Sequence, residues 1–270
     1  MRLTVLIDNR PSPCGSLHHE HGLAMHFTYK GKSFLVDTGA SALFADNARA
    51  LGIDIADVDY LVLSHAHADH TGGLRAFLEL NSKAQVYLSQ NVIGNSFCST
   101  RRGAKRDISP DGSLFGQYSS RFVPLTGDIE LCEGVAIISD IRCAGDCPKA
   151  NATLLKNDLP DDFSHEICLT VESVSGRVVL SPCSHKGGTN ILDSIPGNVA
   201  HFVGGLHLLD IDENTSYESE DELHAIALAI KARGTHLHTG HCTGECAKRV
   251  RSQVLGASFS AFFTGYAAEL

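Results

Sequence analysis

Apolar and polar positions along the chain alternate in two distinct rhythms. The short apolar runs LTVLI at 3–7, MHFTY at 25–29 and SFLVDTG at 33–39 have strand length and composition, with Gly31-Lys32 offering a turn between the last two. In SALFADNARALG, residues 41–52, Phe44, Ala48 and Leu51 recur at helical spacing and Gly52 supplies a stop. DYLVLS at 59–64 then reads as a buried strand, GGLRAFLEL at 72–80 as a helix and QVYLS at 85–89 as another strand. A polar stretch rich in Gly and Ser runs from about 94 to 121 and reads as a lid or rim. The second half returns to strands at 135–141, 167–173, 177–181 and 201–205. It closes with a helix at 221–234, a strand at 235–240 and a helix from about 243 to 255. Strand-rich halves interleaved with helices predict sheets covered by helices, an α/β layered domain over 1–270 that no linker divides.

Between the strand at 59–64 and the helix at 72–80 lies SHAHADHTGG, with three histidines and an aspartate in six positions. If the strand runs on through His67, then His65 and His67 point the same way, because strand side chains alternate with period two. Asp69 and His70 follow where strand gives way to helix, a turn that can bring both toward a second ion. Imidazole and carboxylate donors suit zinc, and imidazole also suits iron or nickel. The plainer reading makes Asp69 a helix cap and the histidines a polar loop.

HAHADH, placed after an apolar strand and before a helix, resembles the HxHxDH signature of the metallo-β-lactamase superfamily. FLVDTGAS at 34–41 and GHCTG at 240–244 resemble further segments of that family. Together with VLIDN, LSPCSHKGGTNIL, VGGLHLL and the C-terminal TGYAAEL, they extend the likeness over nearly the full length. They point to a subgroup that includes an archaeal dihydropterin-ribofuranosylaminobenzene phosphate synthase. The resemblance implies a four-layered αββα sandwich with the metal site along one edge. It implies two divalent ions, zinc first, with iron, manganese or magnesium as alternatives. His65, His67 and His185 would hold one ion and Asp69, His70 and His241 the other. An aspartate usually bridges the two ions in this superfamily, and here the strand ends in PCSH instead, leaving the bridge unassigned. His207 is the further candidate, as ligand or as a group facing substrate.

Around these residues, Asp37 is either a turn former or a carboxylate that orients a ligating histidine from behind. Arg101 and Arg102, with Lys105 and Arg106, form either a solvated face or an anion-binding rim suited to a phosphorylated substrate. The run His18-His19-Glu20-His21 reads as a solvated loop, with the lining of a site mouth as the alternative, His165 as a lesser ligand candidate, and His236 and His238 as structural. Cys183 and Cys242 stand near His185 and His241 as candidate ligands or site-lining thiols.

Composition narrows the setting. A net charge of −9 argues against a nucleic-acid binder, which relies on many Lys and Arg contacts to phosphate. No apolar run reaches the length of a transmembrane helix, and the N-terminus lacks the apolar stretch of a signal peptide. Nine cysteines, an odd number without that signal, read as reduced thiols in a cytoplasm. The expected activity is metal-assisted hydrolysis of a small phosphorylated or ester substrate, with Asp69 and His207 as the catalytic candidates. The rivals are a transferase of the synthase type and a non-catalytic metal-binding module.

Overall fold

The computed structural model describes every residue except Asp146 and Glu213. The chain divides into two compact units. The first comprises residues 1–97, 107–126 and 262–270, and the second 98–106 and 127–261. Among the described residues no helix is long and apolar enough to cross a membrane.

The first unit is built on a seven-stranded sheet, in the order Ala267–Glu269, Arg2–Ile7, Ala24–Tyr29, Lys32–Val36, Tyr60–Val62, Gln85–Ser89 and Phe122–Leu125. The first four pair antiparallel and the rest parallel, so the sheet changes character at Lys32–Val36. Parallel strands need a crossover, and the helices Leu43–Ala50 and Leu74–Leu80 supply it. Their apolar stripes, Phe44 and Ala48 on one and Leu74, Phe77 and Leu78 on the other, pack with Leu35, Leu61, Leu63 and Val86 of the sheet. Phe27, Phe34 and Tyr60 stack ring over ring across three neighbouring strands, with centroids 4.6 and 4.9 Å apart.

A second seven-stranded sheet organises the other unit. Its order is Phe259–Ala261, His236–Thr239, Val199–Val203, Gly176–Leu180, Cys168–Ser173, Val135–Ile138 and Ile129–Cys132. Here too an antiparallel half joins a parallel half, the change falling at Gly176–Leu180. The helices Gly188–Ser194, Glu220–Ala232 and Glu245–Leu255 cover one face through Ile191, Leu223, Ile230, Ala247 and Val250, packed with Val179, Phe202 and Leu237. Glu220–Ala232 starts at a capping box, in which Ser219 and Glu222 satisfy each other's backbone N–H. Each unit thus supplies one sheet and one helical layer of the expected α/β architecture.

Several boundaries differ from those read in the sequence. The strand expected over 59–64 and onward through His67 ends at Val62. Leu63 still donates to Tyr87 O, but the N–H of Ser64 is taken by the Asp37 carboxylate at 2.7 Å, so the ladder stops there. The helix expected over 72–80 starts at Leu74, and a separate turn of helix, Ala68–Thr71, precedes it. In the 94–121 stretch the structure contains the short strands Phe97–Ser99 and Arg106–Asp107 and the helix Ser113–Gln117.

One buried histidine ties stability to pH. His26, on the strand Ala24–Tyr29, is nearly enclosed and faces Ser33 Oγ at 2.9 Å; burial lowers its pKa from 6.5 to about 4. The unfolded chain therefore takes up a proton that the folded chain refuses. The stability this represents is complete above pH 6.5 and is lost as pH falls through about 4. Urea unfolding at pH 7 and pH 4 should show the parent losing about 3 kcal/mol more than His26→Gln. Equal losses would remove His26 from the acid response.

Candidate metal centre

In open sheets with parallel strands, ligands gather beyond the carboxyl ends of the strands, near the point where the connection pattern changes. Asp37 and the expected ligands of the first unit lie there. Asp37 follows Lys32–Val36, and residues 64–70 follow Tyr60–Val62. Asp37 has φ 59°, a left-handed conformation that Asp tolerates better than most residues.

The fully buried Asp37 carboxylate organises the loop. Oδ1 accepts from Ser64 N at 2.7 Å, and Oδ2 accepts from Ser64 Oγ at 2.7 Å and lies 2.7 Å from His70 Nδ1. A hydroxyl has one hydrogen, and that of Ser64 is directed to Asp37. Ser64 Oγ must then accept from His65 Nδ1, 2.8 Å away. Both His65 and His70 therefore carry their proton on Nδ1 and present the Nε2 lone pair. The three rings cluster tightly, His65 lying 4.6 Å from His67 and 4.2 Å from His70 between centroids, and all three are buried. Asp69 is half-buried, with Oδ2 3.6 Å from His70 Nε2 and 3.5 Å from Nε2 of the exposed His21. Asp69 sits within the first turn of Ala68–Thr71, whose cap position is His67, so the helix-cap reading does not hold.

Backbone closeness keeps this loop in place. A Cβ on Gly72 would lie 2.1 Å from Ala40 O, and one on Gly73 would lie 2.3 Å from Thr38 O. Thr38 in turn donates both N–H and Oγ–H to His70 O, at 2.8 and 3.0 Å. Glu20 fastens the 37–41 turn by accepting from Ala40 N, Ser41 N and Ser41 Oγ.

In the second unit the expected ligands and His207 also follow parallel strands: His185 after Gly176–Leu180, His207 after Val199–Val203 and His241 after His236–Thr239. Ser184, His207 and His241 have φ of 56°, 50° and 47°. Such non-glycine conformations cost ~1–3 kcal/mol each and cluster where loops are shaped for function. His185 is buried, stacked on Phe163 with centroids 4.6 Å apart, and 4.1 Å from the His207 ring. Asn151 joins the two: Nδ2 donates to His185 O at 2.7 Å, which fixes the amide so that Oδ1 faces His185 Nδ1 at 3.2 Å and His207 Nδ1 at 2.9 Å. Both rings thus donate from Nδ1. His185 presents its Nε2 lone pair, whereas His207 Nε2 accepts from Arg101 Nη2 at 2.9 Å.

His241 is buried in a short 3₁₀ turn, and its ring lies with the thiols of Cys183 and Cys242 so that one ligand atom from each falls within 4.8 Å of the others. The Cys242 thiol donates to Cys183 Sγ at 3.3 Å, and the two form no disulfide. Cys242 fills a notch in which a Cβ on Gly205 would come within 2.4 Å of its sulfur. Glu166 is fully buried and accepts from the N–H of His185 and of Lys186, both at 2.7 Å; burial pushes its pKa up to about 7 against those two bonds. His165 is held by Asp161, Nε2 to Oδ2, at 3.0 Å.

The basic cluster separates into two roles. Arg101 reaches His207, while Arg102 is exposed and Lys105 pairs with Asp158. Ser64, Asn151 and Glu166 were not legible as site residues. Each is an ordinary polar residue whose importance comes from a partner brought near by folding.

The family profile of the metallo-β-lactamase superfamily matches residues 22–91, the segment that carries Asp37 and the histidine cluster. The chain is similar in structure to Tm1679, a metal-dependent hydrolase of the β-lactamase superfamily, at 27% identity and TM-score 0.81, over 100% of this chain and 99% of that one. The fold is that of the metallo-β-lactamases, and the matched segment resembles their superfamily. Among curated proteins it is similar to the 7,8-dihydropterin-6-methyl-4-(beta-D-ribofuranosyl)-aminobenzene-5'-phosphate synthase of Methanocaldococcus jannaschii. That relative is 26% identical over 276 residues, spanning 91% of this chain and 88% of the synthase. Zn(2+)-bound PqqB from Methylobacterium extorquens shares the fold at TM-score 0.58 and 11% identity, over 100% of both chains.

The contact between Gly72 and Ala40 makes a direct prediction. Gly72→Ala should destabilise the fold by ~1–3 kcal/mol through overpacking. Gly112→Ala, where a Cβ meets nothing within 4 Å, should stay within about 0.5 kcal/mol of the parent. Thermal unfolding of the two variants checks this, and equal midpoints would show that the loop yields freely.

Proposed function

We propose that the chain is a metal-dependent hydrolase acting on a small phosphorylated or ester substrate in the cytoplasm. The observation that carries this reading is the tautomer pattern. In the first unit the Asp37–Ser64 network sets His65 and His70 to present Nε2, and in the second unit Asn151 does the same for His185. Neutral imidazoles held from behind by a carboxylate, hydroxyl or amide fit a divalent ion such as zinc, since outer partners of this kind orient ligating rings and raise their basicity.

In this reading His65, His67 and His185 are the ligands of one ion and Asp69, His70 and His241 those of another, as in the family pattern. Zinc is the first choice, and iron, manganese or magnesium the alternatives. When bound, such ions supply Lewis-acid polarisation of the scissile group and a water of lowered pKa. The chain's own residues do the rest. Asp69, the least buried acid of the cluster, orients the nucleophile and takes its proton. Arg101, bonded to His207, holds an anionic substrate group beside that ring, because a guanidinium matches phosphate oxygens in pairs. Free thiols throughout the described residues agree with a reducing compartment.

A second reading, a transferase on a pterin diphosphate, is favoured by one finding, the likeness to the archaeal synthase over most of both chains. The donor set weighs against it, since magnesium prefers oxygen ligands and this cluster is rich in imidazole.

Metal analysis of the purified chain, followed by a screen of phosphate esters, lactones and thioesters, tests the proposal. Parent protein should carry metal and turn over at least one class. His67→Ala should lose both, and Asp37→Asn should weaken metal binding by ~10–100-fold. Full turnover in metal-free His67→Ala would end the hydrolase reading. Coupling of a pterin diphosphate without hydrolysis of any ester would favour the transferase.

A further inference from the structure

His201, His236 and His238 share no residue with the proposed centre, yet they form a compact cluster of their own. Val199–Val203 and His236–Thr239 are neighbouring parallel strands in register, with His201 opposite His236. Because strand side chains alternate, His238 lies on the same face as His236, two positions on. The intervening Phe202 and Leu237 point the other way, into the apolar core with the helices. Two strands of one sheet therefore fix three imidazoles side by side. Their ring centroids are 4.3, 5.3 and 5.7 Å apart.

We propose that these three histidines form a separate binding site for a divalent transition-metal ion, zinc being the reference case. One ring nitrogen from each lies within 4.8 Å of the others, the spread that a single ion can draw together. His201 Nδ1 and His238 Nε2 are already 3.1 Å apart, so one of them donates to the other. An ion replaces that shared hydrogen when the donating ring shifts its proton to its other nitrogen, a tautomer change that leaves both rings neutral. Protonation offers little competition. Burial, with the neighbouring rings adding to it, lowers the pKa of His238 to about 3 and that of His201 as well, and burial lowers that of His236. Ser260, on the adjoining strand, anchors the His236 ring through Nε2 at 2.9 Å. His238 is buried while His201 and His236 are half-exposed, so an ion held there keeps an open side toward solvent. Three imidazoles and one open position form the donor set of catalytic zinc sites, and imidazole likewise takes nickel and copper.

The test measures metal content of the full chain after stripping with chelator, saturation with Zn²⁺ and removal of free ion. Parent protein should retain one equivalent more than the His201→Asn/His236→Gln double variant, and the variant should keep the turnover of the parent. Equal zinc content in the two folded proteins overturns the site. Should the variant not fold, ring-nitrogen NMR of the parent during the Zn²⁺ titration decides. Coordination shifts at His201, His236 and His238 support the site, and unchanged signals at saturation refute it. Loss of the proposed hydrolase activity by His67→Ala does not bear on this result, because the two sets of ligands are independent.

Discussion

The Asp37 carboxylate is the interaction on which the first unit's chemistry rests. Burying a carboxylate costs several kcal/mol unless hydrogen bonds replace the lost water. Here the replacement comes from Ser64 N, Ser64 Oγ and His70 Nδ1, each at 2.7 Å. Those bonds have a structural effect as well as an energetic one. They stop the strand at Val62, turn the chain into the histidine loop, and decide which nitrogen of two rings faces outward. A single side chain thus couples the end of an element to the tautomers of candidate ligands.

The same logic recurs in the second unit with different atoms. Its histidines also follow the carboxyl ends of parallel strands, where a crossover sheet leaves loops free to vary without disturbing the core. Asn151 plays toward His185 and His207 the part that Asp37 and Ser64 play toward His70 and His65. The left-handed backbone at Asp37, Ser184, His207 and His241 marks four of these strand-end loops. Each is held by hydrogen bonds or tight glycine contacts that the rest of the fold supplies.

This explains what could be read from the chain itself. Long periodic elements such as Glu220–Ala232 and the paired strands around Gly31 follow from local pattern, because their apolar stripes face one core. The cluster at 65–70 was legible for a different reason: its ligand types crowd into one loop. Ser64 and Asn151 gave no such signal, since a lone Ser or Asn becomes important only through a partner 27 or 34 positions away. The strand end at Val62 was equally hidden, because LVLSHAH keeps its alternation while a distant carboxylate withdraws one amide from the ladder. The basic run at 101–106 could be read as a charge cluster, but not that its first member alone reaches a histidine 106 residues on.

That last contact bears on how His207 can act. Arginine has no lone pair to offer, so Arg101 must donate and His207 Nε2 must accept, with Nδ1 donating to Asn151. In this arrangement Nε2 is committed, and His207 can ligate an ion only if Arg101 withdraws. Among the described residues no ion pair joins Arg101 to a carboxylate, and its buried Nε lacks a hydrogen bond. Its charge is therefore opposed by an imidazole rather than neutralised by an acid, in a chain whose net charge is −9. An approaching anion would find a guanidinium with donors still to satisfy, held at a fixed angle by a ring that is itself fixed by Asn151. The geometry thus makes His207 the residue that fixes Arg101 in place, with both of its ring nitrogens committed.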